Sequence, residues 1–441
     1  MTTKQIYQEF LGSTGICTDT RQASEGSLFF ALRGDRFDGN DYVEEALRKG
    51  CRLAVTERGG LEGSGRVVVV PSALALLQDL AHYHRMKVAP RLVAITGSNG
   101  KTTTKELMAA VLSQAHSVLS TRGNLNNHIG VPLTLLRLKS EEFAVVEMGA
   151  NHPGEIAALA RIAAPEVGVI TNVGKAHLEG FGSYQGVLDA KGELYDFLAS
   201  RGGTAIIDGS DKTLLEKASR TGVRTMVAAR DGDLPVSVRL TGQTPMLEVE
   251  LALGKDVRRF TTGMVGAYNL QNILLAAATG AYFGVSASAI EQAVSQYRPE
   301  NQRSQVVEGR RNRIVLDSYN ANPSSMREAI GGFLSYAAPP RMLILGDMAE
   351  LGAFSEEEHR ELVRWISTLE VDRVYLAGPN FHGVCDPAGP VTAFRSTGEL
   401  SSRLREEKPA GYHILLKGSR IMALEQIMPL LMDKNNINYG K

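Results

Sequence analysis

The stretch LVAITGSNGKTTT, residues 92–104, predicts a buried strand followed by a tight loop and the start of a helix. The apolar run at 92–95 fits a strand that is covered on both faces. The loop at 96–102 contains glycines, and the segment at 105–112 is rich in good helix formers. Glycines let several backbone N–H groups point at one anion, and the helix dipole adds partial positive charge there. The layout therefore predicts a phosphate cradle.

Lys101 and Thr102 give this loop its predicted chemistry. A lysine adds a full positive charge beside the phosphates, and a threonine hydroxyl at this place can hold a magnesium ion. The longer Walker A pattern would need a glycine where Ile95 stands, so the motif is the shorter GxxGKT, which begins at Gly97. An ordinary strand–turn–helix corner with an exposed lysine is the alternative. The agreement of strand, loop and helix favours the phosphate site.

Length and composition restrict the classes of protein that the chain can belong to. Its 441 residues suffice for two to four domains with sizeable cores. Basic and acidic residues number 48 each, so no overall charge predicts binding to nucleic acid or to an anionic membrane. Cys17, Cys51 and Cys385 lie far apart and predict reduced thiols. The first residues lack a signal-peptide pattern, and no apolar run reaches about 18 residues. We therefore expect a cytoplasmic protein without a membrane span.

The order of strands and helices predicts an α/β chain of three domains. Residues 1–87 predict a small α/β domain, with strands at 27–32 and 67–70 and helices at 42–49 and 73–85. Residues 88–304 alternate strand and helix as a doubly wound parallel sheet does, with strands at 92–96, 143–148, 167–171, 204–207 and 223–227. Residues 236–262 interrupt this alternation and predict a small antiparallel insert.

Residues 305–441 predict a third, Rossmann-like domain that lacks the GxGxxG pattern of a dinucleotide site. Its strands are expected at 313–317, 342–345, 373–377 and 413–417, and its helices at 324–336, 356–369, 398–407 and 420–432. Ligands of such sheets bind at the carboxyl ends of the strands. The polar residues of this chain are concentrated at those ends.

Three residues of the central domain are candidates for metal or catalytic chemistry. Glu147 ends a predicted strand and is placed to coordinate magnesium directly or through water. His177 lies in a Gly-rich loop, and because magnesium prefers oxygen ligands, a metal ligand and a plain loop histidine are equally acceptable interpretations. Lys191 is either a surface lysine or a lysine carbamylated by carbon dioxide, whose added carboxylate would bind magnesium.

Polar and charged residues also mark the third domain and the segment that joins it. Arg303, at the junction, would reach a γ-phosphate when the domains close, or would serve as an interface residue. The segment DSYNANPSSM, residues 317–326, follows a strand, and Ser324 is the expected cap of the next helix. Lys417 and Arg420 together suit a carboxylate or a phosphate. The clusters at 18–21 and 33–39 in the first domain fit solvated loops as well as binding sites.

Together these motifs resemble those of the Mur ligases, the ATP-dependent amide-forming enzymes of bacterial cell-wall assembly. ITGSNGKTTTKE resembles the family's ATP loop, which also has the short GxxGKT form. DSYNANPSSM, LGDMAELG and LLKGSR resemble the members that add D-alanyl-D-alanine to UDP-N-acetylmuramoyl-tripeptide.

The members that add the third residue of the peptide are disfavoured because their DNPR-type motif is missing from the sequence. Folylpolyglutamate synthetases fit the first domain and DSYNANP poorly. A nucleotide-controlled switch or transport ATPase is the rival from another class, since it would need the P-loop but no acceptor loops.

The resemblance implies a role for each matching residue, with ATP and two magnesium ions as cofactors and a monomeric protein. The residues implied to bind ATP are Thr96, Gly97, Ser98, Asn99, Gly100, Lys101, Thr102, Thr103, Asn269, Asn272, Arg303 and Asp317. Those implied to hold magnesium are Thr102, Ser120, Glu147, His177 and carbamylated Lys191. Those implied to act in catalysis are Lys101, His177, Lys191 and Arg303. Those implied to lie near the UDP-sugar are Thr20, Arg21, Gly34 and Asp38. Those implied to lie near magnesium and the phosphates are Asn124 and Asn127. Those implied to surround the acceptor are Tyr319, Asn320, Asp347, Lys417 and Arg420.

The implied chemistry accounts for this set of charges. A substrate carboxylate would attack the γ-phosphate of ATP to form an acyl phosphate, which the dipeptide amine would then attack. Bringing a carboxylate to within ~4 Å of one phosphate charge costs roughly 4 kcal/mol at an effective dielectric near 20. Magnesium, Lys101 and Arg303 would offset that repulsion, and domain closure would exclude water. His177, if it is not a ligand, is a candidate for the base that accepts the amine proton.

Overall fold

The structure, a computed structural model of the chain, describes residues 2–34, 37–60, 65–175, 178–231, 234–300 and 302–432. Within these residues, three mainly parallel sheets with flanking helices follow one another along the chain, in an N-terminal, a central and a C-terminal unit. This arrangement confirms the predicted fold class. The predicted limits of the domains, at 87/88 and 304/305, stay predictions. No described helix is long and apolar enough to cross a membrane.

The N-terminal unit contains short strands and three helices. The strands are β1 (Ile16–Cys17), β2 (Leu28–Phe30), β3 (Arg33–Gly34), β4 (Phe37–Asp38), β5 (Leu53–Thr56) and β6 (Val67–Val69). The helices are α1 (Thr3–Leu11), α2 (Val43–Arg48) and α3 (Ala73–Val88). A parallel sheet has the order β1-β2-β5-β6, and β3 pairs with β4 in a separate antiparallel ribbon.

The central unit contains a six-stranded parallel sheet and the predicted antiparallel insert. The strands are β7 (Arg91–Thr96), β8 (Val118–Ser120), β9 (Phe143–Glu147), β10 (Val167–Ile170), β11 (Thr204–Asp208), β12 (Arg224–Ala228), β13 (Val236–Gln243), β14 (Met246–Leu253) and β15 (Asp256–Val265). The helices are α4 (Lys101–Leu112), α5 (Gly130–Leu135), α6 (Glu155–Ala163), α7 (Leu178–Phe181), α8 (Tyr184–Arg201), α9 (Lys212–Thr221), α10 (Asn269–Tyr282) and α11 (Ala287–Gln296). The parallel sheet has the order β12-β11-β10-β7-β9-β8, and β13, β14 and β15 form the insert.

The C-terminal unit contains a second six-stranded sheet. The strands are β16 (Gln305–Glu308), β17 (Arg313–Asp317), β18 (Arg341–Gly346), β19 (Arg373–Ala377), β20 (Thr392–Phe394) and β21 (His413–Lys417). The helices are α12 (Pro323–Tyr336), α13 (Ser355–Ile366), α14 (Pro379–Val384), α15 (Thr397–Glu407) and α16 (Met428–Met432). The sheet has the order β16-β17-β21-β18-β19-β20, and only the pair β16–β17 is antiparallel among these strands.

The central strand β7 is buried on both faces, as its apolar run predicts. Leu92 and Ala94 pack into a core that extends into the N-terminal unit. Val93 and Ile95 pack into a second core, which includes α4, α10 and the antiparallel insert. All four side chains are fully buried. Since burial of apolar area contributes about 25 cal/mol per Å², this strand is firmly anchored, and it fixes the position of the loop that follows it.

Some of the predicted secondary structure is wrong or incomplete. Strands β1, β5, β8, β16 and β20 are not predicted, because they have only two to four residues each and show no clear alternation. The single helix expected at 420–432 is replaced by two 3-10 turns, Arg420–Met422 and Leu424–Ile427, and the short α16. Ala423, between the turns, has a φ of 48°, a left-handed conformation that interrupts a right-handed helix.

Helix α3 attaches the N-terminal unit to the central unit through two buried polar side chains. Nε2 of His84 donates to the carbonyl of Leu138 at 2.8 Å, and its Nδ1 accepts from the hydroxyl of Tyr7 at 3.2 Å. The guanidinium of Arg85 donates to two carbonyls at the end of α6, at 2.9 and 3.0 Å. Burial lowers the pKa of His84, so its ring is neutral and the donor and acceptor roles of its nitrogens are fixed.

The buried His84 predicts a loss of stability in mild acid. Because its folded-state pKa lies below the ordinary value of about 6.5, the unfolded chain binds the proton first. Its contribution to stability is complete above that value and decreases as the pH falls towards the folded-state pKa. Thermal unfolding at pH 7.5 and 5.5 should show a smaller acid-induced decrease of Tm in His84→Gln than in the parent. The same substitution should cost about 1 kcal/mol at pH 7.5, because it removes the bond to Tyr7.

The exposed His382 provides the matched control. His382→Gln should keep the full pH dependence of the parent. An equal acid-induced decrease of Tm in His84→Gln and in the parent would show that the interaction between α3 and the central unit does not depend on a neutral His84.

Candidate functional site

The loop between β7 and α4 turns on two glycines with left-handed φ, 140° at Gly97 and 77° at Gly100. A Cβ at Gly97 would lie 2.0 Å from Oγ1 of Thr171, and a Cβ at Gly100 would lie 2.4 Å from Oδ1 of Asn272. The backbone therefore approaches its neighbours too closely for any side chain. Helix α4 begins directly after Gly100, and its first turn lines a cavity together with the loop. The helix dipole thus adds positive potential to that cavity.

Asn99 is held by the segment that follows β10. Its N–H donates to Oδ1 of Asn172 at 3.0 Å, and its carbonyl accepts from the hydroxyl of Thr171 at 2.5 Å. The neighbouring Ser98 accepts the N–H of Gly174 on its Oγ at 2.9 Å. The segment after β10 therefore fixes the shape of the phosphate loop, a role that the sequence motif does not indicate for Asn172.

The ammonium group of Lys101 is folded back on the loop. Its Nζ donates to the carbonyl of Gly97 at 2.7 Å and to that of Ser98 at 3.1 Å. Burial lowers the pKa of Lys101, and the charge of Glu147 opposes this shift. A cation in this position faces the cavity that the loop lines and suits an anion there.

The structure brings Thr102 and Glu147 together beside the loop. The hydroxyl of Thr102 donates to Oε2 of Glu147 at 2.9 Å, and Nδ2 of Asn126 donates to Oε1 at 2.8 Å. Glu147 is only 2% exposed, and its own N–H donates to the hydroxyl of Thr121 at 3.0 Å. A buried carboxylate next to a hydroxyl supplies the hard oxygen donors that magnesium prefers. The donor set therefore fits this ion.

Two other predicted ligands, Ser120 and His177, stay predictions. Ser120 ends β8 beside Val145 of β9 and is not among the described residues that line the cavity. His177 lies outside the described residues. Within the part of the chain that the structure describes, no group of three or more His, Cys, Asp or Glu side chains is placed to hold a metal ion.

Lys191 is a buried residue of α8, so the interpretation as a surface lysine is wrong. Its side chain is about 1% exposed, and its Nζ donates to the carbonyl of Ala150 at 3.3 Å. The same atom lies 5.3 Å from the ring centroid of Phe181. Burial, assisted by the charge of Lys101, lowers the pKa of Lys191 to about 7. Near neutral pH a large fraction of this amine is therefore uncharged, which is the form that reacts with carbon dioxide.

Asn269 and Asn272, which the resemblance implies to bind ATP at its adenine, connect α10 to α4 and to β15. Nδ2 of Asn272 donates to Oδ1 of Asn269 at 2.7 Å, and Oδ1 of Asn272 accepts from the hydroxyl of Thr104 on α4 at 3.0 Å. Nδ2 of Asn269 donates to the carbonyl of Val265 at 2.8 Å. Both asparagines line the cavity. Their contact with a nucleobase stays a prediction.

Arg303 lies in the connection between the central and C-terminal units and stacks on Tyr319. Its guanidinium carbon is 3.8 Å from the centroid of the Tyr319 ring, a cation–π distance. The flanking residues Gln302 and Ser304 have left-handed φ values of 61° and 50°. The N–H of Ser304 donates to Oδ1 of Asp317 at 3.3 Å. Nε of Arg303 is buried and has no hydrogen-bond partner among the described residues, and the residue lines the cavity with its positive charge.

The carboxyl ends of β17 and β21 meet in an ion pair between the buried Lys417 and the partly buried Asp317. Nζ of Lys417 donates to Oδ2 of Asp317 at 2.7 Å and to the carbonyl of Asn320 at 3.3 Å. The guanidinium carbon of the exposed Arg420 lies 5.8 Å from the ring centroid of Tyr319. The structure thus gathers most of the predicted acceptor residues at one edge of the C-terminal sheet.

Asp347, a further predicted acceptor residue, is engaged elsewhere. Its two carboxylate oxygens accept the N–H groups of Asn380 and Phe381, each at 2.9 Å. These bonds cap the start of α14, and Asp347 is not among the described residues that line the cavity. Its contact with a substrate stays a prediction.

The cap of α12 is Asn322, so the prediction of Ser324 is wrong. Oδ1 of Asn322 accepts the N–H of Ser325 at 2.9 Å, and Oγ of Ser325 accepts the N–H of Asn322 at 3.1 Å. Pro323 occupies the first helical position, where its missing N–H costs nothing. A proline directly before Ser324 therefore moves the start of the helix one residue towards the N-terminus.

The predicted UDP-sugar residues belong to the N-terminal unit, away from the described lining of the cavity. Thr20 is buried, and Arg21 is exposed and paired with Asp19 at 2.6 Å. Gly34 and Asp38 lie on the ribbon formed by β3 and β4, where Asp38 caps a 3-10 turn. The structure does not bring these four residues to the phosphate loop.

The cavity has a volume of about 880 Å³ and lies between the phosphate loop and the C-terminal unit. The predicted residues Asn124 and Asn127 line it. Further polar lining residues to which the sequence assigns no role are Gln78, Asn126, Asn172, Arg230, Tyr268, Gln271, Glu328 and Glu350. Asn172 and Arg230 follow β10 and β12, so the rule that ligands bind at strand ends indicates them. The others are brought to the cavity by tertiary packing.

Three family models match the sequence in succession. "Mur ligase family, catalytic domain" matches residues 13–91, "Mur ligase middle domain" matches residues 95–280, and "Mur ligase, glutamate ligase domain" matches residues 302–420. The matches follow the order of the N-terminal, central and C-terminal units.

Similar proteins match over almost the whole chain. The UDP-N-acetylmuramoyl-tripeptide--D-alanyl-D-alanine ligase of Escherichia coli is 36% identical, and the match covers 95% of this chain and 93% of that protein. A crystal structure of MurF from Acinetobacter baumannii is 32% identical and has a TM-score of 0.87, with coverage of 98% and 99% of the two chains. MurF of Thermotoga maritima in complex with ADP is 28% identical and has a TM-score of 0.85, with coverage of 96% and 97%.

The close approach at Gly100 predicts that Gly100→Ala weakens nucleotide binding. The new Cβ would lie 2.4 Å from Oδ1 of Asn272, at a position with left-handed φ. The phosphate loop must therefore move away from helix α10, which carries Asn272. Overpacking of this kind costs roughly 1–3 kcal/mol, which corresponds to about 5- to 150-fold weaker binding if the strain is released in the free protein. Calorimetric titration with ADP measures the affinity.

Gly331 on α12 is the matched control, because a Cβ there would meet nothing within 4 Å. Gly331→Ala should leave the affinity unchanged and stabilise the helix by up to about 1 kcal/mol. Equal affinities of the parent and Gly100→Ala would contradict the steric account of the loop.

Proposed function

Because the chain belongs to the Mur ligase family, we propose that it is an ATP-dependent ligase that joins D-alanyl-D-alanine to UDP-N-acetylmuramoyl-tripeptide. The products are ADP, phosphate and the pentapeptide precursor of peptidoglycan. Relatives that match 95% of this chain carry the name of that reaction. The proposal places the protein in the cytoplasm.

One observation carries the proposal: a single cavity is lined by a phosphate loop and by polar groups of the C-terminal unit. Lys101 and Thr102 line the side of the central unit, and Tyr319 and Lys417 line the opposite side. A switch or a transport ATPase has no need for the second set of groups. A ligase needs both, because the activated carboxylate and the amine must meet in one place.

ATP would lie with its phosphates against the loop 97–102. The dipole of α4 and the charge of Lys101 then act on the β- and γ-phosphates. Arg303 would contact the γ-phosphate, since its buried Nε is without a partner among the described residues. Asn269, Asn272 and Asp317 would surround the nucleoside. The ADP complex of the Thermotoga maritima relative supports a nucleotide site in this fold.

Thr102 and Glu147 would hold one magnesium ion, because their oxygens are the donors this ion prefers. When bound there, the ion neutralises charge on the β- and γ-phosphates. A second ion held with the help of carbamylated Lys191 and His177 is part of the proposal. Nζ of Lys191 donates to the carbonyl of Ala150, a residue that lines the cavity, which supports its nearness to the phosphate loop.

The reaction would proceed in two displacements. The terminal carboxylate of the tripeptide attacks the γ-phosphorus, the bond to the bridging oxygen breaks, and ADP leaves. The dipeptide amine then attacks the acyl carbon, loses its proton, and expels inorganic phosphate as the amide forms. Lys101 and Arg303 stabilise the transferring phosphoryl group electrostatically. Enclosure between the central and C-terminal units keeps water from the acyl phosphate.

The test of this function is phosphate release from ATP with magnesium and UDP-N-acetylmuramoyl-tripeptide, measured with and without D-alanyl-D-alanine. We expect release to require both substrates and the product to gain the mass of the dipeptide less water. Release that is indifferent to the dipeptide would overturn the acceptor assignment and favour an ATPase. The third-residue-adding ligase of the family is tested by replacing both substrates, with UDP-N-acetylmuramoyl-dipeptide in place of the tripeptide and a diamino acid in place of D-alanyl-D-alanine.

The pKa of about 7 at Lys191 predicts an activity that depends on carbon dioxide. Activity of the parent should decrease in carbon-dioxide-depleted buffer, especially below pH 7 where the amine is protonated, and bicarbonate should restore it. Lys191→Met should be about 10- to 100-fold less active, the usual cost of losing a group that supports a metal site. Bicarbonate should not restore this variant.

Lys217 offers a matched control, since it lies beside the same helix and is only partly buried. Lys217→Met should keep both the activity and the response to bicarbonate. Full activity of Lys191→Met would exclude carbamylation as part of the mechanism.

A further inference from the structure

The phosphate loop and the C-terminal unit are joined by a hydrogen bond between two asparagine side chains. Nδ2 of Asn322 donates to Oδ1 of Asn99 at 2.8 Å, across a separation of more than two hundred residues along the chain. Asn99 stands in the phosphate loop, and Asn322 caps the first turn of α12. Both residues line the cavity. The contact therefore connects the nucleotide side with the acceptor side directly.

The backbone of Asn99 is held entirely by the central unit. Its N–H donates to Asn172, and its carbonyl accepts from Thr171 and from Nδ2 of Asn172 at 3.2 Å. Only its side chain reaches the C-terminal unit. The conformation of this residue therefore depends on both units at once.

Asn322 is also fixed by its surroundings. It is 8% exposed, and its Oδ1 is occupied by the N–H of Ser325. Pro323 fixes the backbone directly after it. With Oδ1 used by the cap, the amide can turn only one way, and Nδ2 is directed at Asn99. A single rotamer thus serves both the helix cap and the contact with the phosphate loop.

A second bridge lies beside the first one. The N–H of Lys175 donates to Oγ of Ser324 at 3.3 Å, and Nζ of Lys175 pairs with Glu358 of α13 at 2.6 Å. Gly174, the residue before Lys175, donates its N–H to Ser98 of the phosphate loop. The first turn of α12 therefore contacts the phosphate loop directly and through the segment after β10.

From these contacts we propose that Asn322 is a positioning residue, which sets the conformation of the phosphate loop through Asn99 when the C-terminal unit is closed on the central unit. The proposal rests on the proposed use of ATP. The hydrogen bond forms only when the units are in contact, so it makes the phosphate loop's affinity for ATP depend on closure. Because the bond runs from Asn322 to the phosphate loop, the proposal assigns its effect to ATP, and binding of the acceptor dipeptide should be affected little.

A double-mutant cycle tests the coupling, with Asn322→Ser, Asn99→Ala and the double variant. Serine is as good a helix cap as asparagine, but it is too short to reach Asn99 and adds no charge. Each single variant should raise the KM for ATP and the Kd for ADP about fivefold, the effect of one net hydrogen bond. The KM for ATP and the Kd for ADP of the double variant should not exceed those of the single variant with the higher values, because all three variants lose the same bond. The KM for the dipeptide should stay within about twofold in all three, since no bond to the dipeptide is lost.

Ser396 provides a control for effects of helix capping in the same unit. It caps α15 by accepting the N–H of Glu399 at 3.2 Å, away from the described lining of the cavity. Ser396→Ala should lower Tm and leave the KM for ATP unchanged. Asn322→Ser keeps the cap of α12, so it should raise the KM for ATP with a decrease of Tm no larger than that of Ser396→Ala.

Different results overturn the two proposals. Additive effects in the cycle, or an unchanged KM for ATP in Asn322→Ser, would overturn the coupling even when the parent is a working ligase. If Asn322→Ser raised the KM for ATP and the KM for the dipeptide equally and also lowered Tm, Asn322 would act only as the cap of α12. Failure of the parent to release phosphate in the presence of both substrates would overturn the proposed function itself.

Discussion

At Gly97 and Gly100 the backbone of the phosphate loop passes so close to Thr171 and Asn272 that neither position has room for a Cβ atom. This close approach determines much of the site. It allows the segment after β10 to bind Asn99 and Ser98, and it allows α10 to hold α4 through Asn272. Because β7 is buried on both faces, the loop has a fixed base from which to make these contacts. The cation, the hydroxyl and the carboxylate beside the loop are placed by that arrangement.

The sequence predicts best those features that depend on local pattern. The apolar run of β7, the glycines after it and the helix formers of α4 all lie within one short stretch, so strand, loop and helix follow from it. The antiparallel insert follows in the same way from its short alternating segments. The pairing of Thr102 with Glu147 follows from the rule that strand ends meet at one edge of a parallel sheet.

Other features depend on contacts that a local pattern does not contain. The burial of Lys191 results from the packing of α8 against the rest of the central unit, and a lysine at this place in a helix is otherwise read as exposed. The cap of α12 is decided by Pro323, whose position favours Asn322 over the serine that follows. Short strands such as β8 and β20 are stabilised by their neighbours in the sheet rather than by their own residues. Tyr268 likewise reaches the cavity through the packing of segments that are distant in sequence.

The three units are not joined in the same way. One hydrophobic core runs without interruption from the N-terminal unit into the central sheet. The two cores of the C-terminal unit are separate from it, and among the described residues the central unit contributes the buried Val265 and the partly buried Met246 to one of them. The C-terminal unit is attached by polar contacts and by the short connection around Arg303, whose neighbours hold left-handed φ. The acceptor side can therefore change its loops, and with them the amine that it accepts, without repacking the core that supports the nucleotide. A family built on this plan can diversify its second substrate while its energy source stays the same.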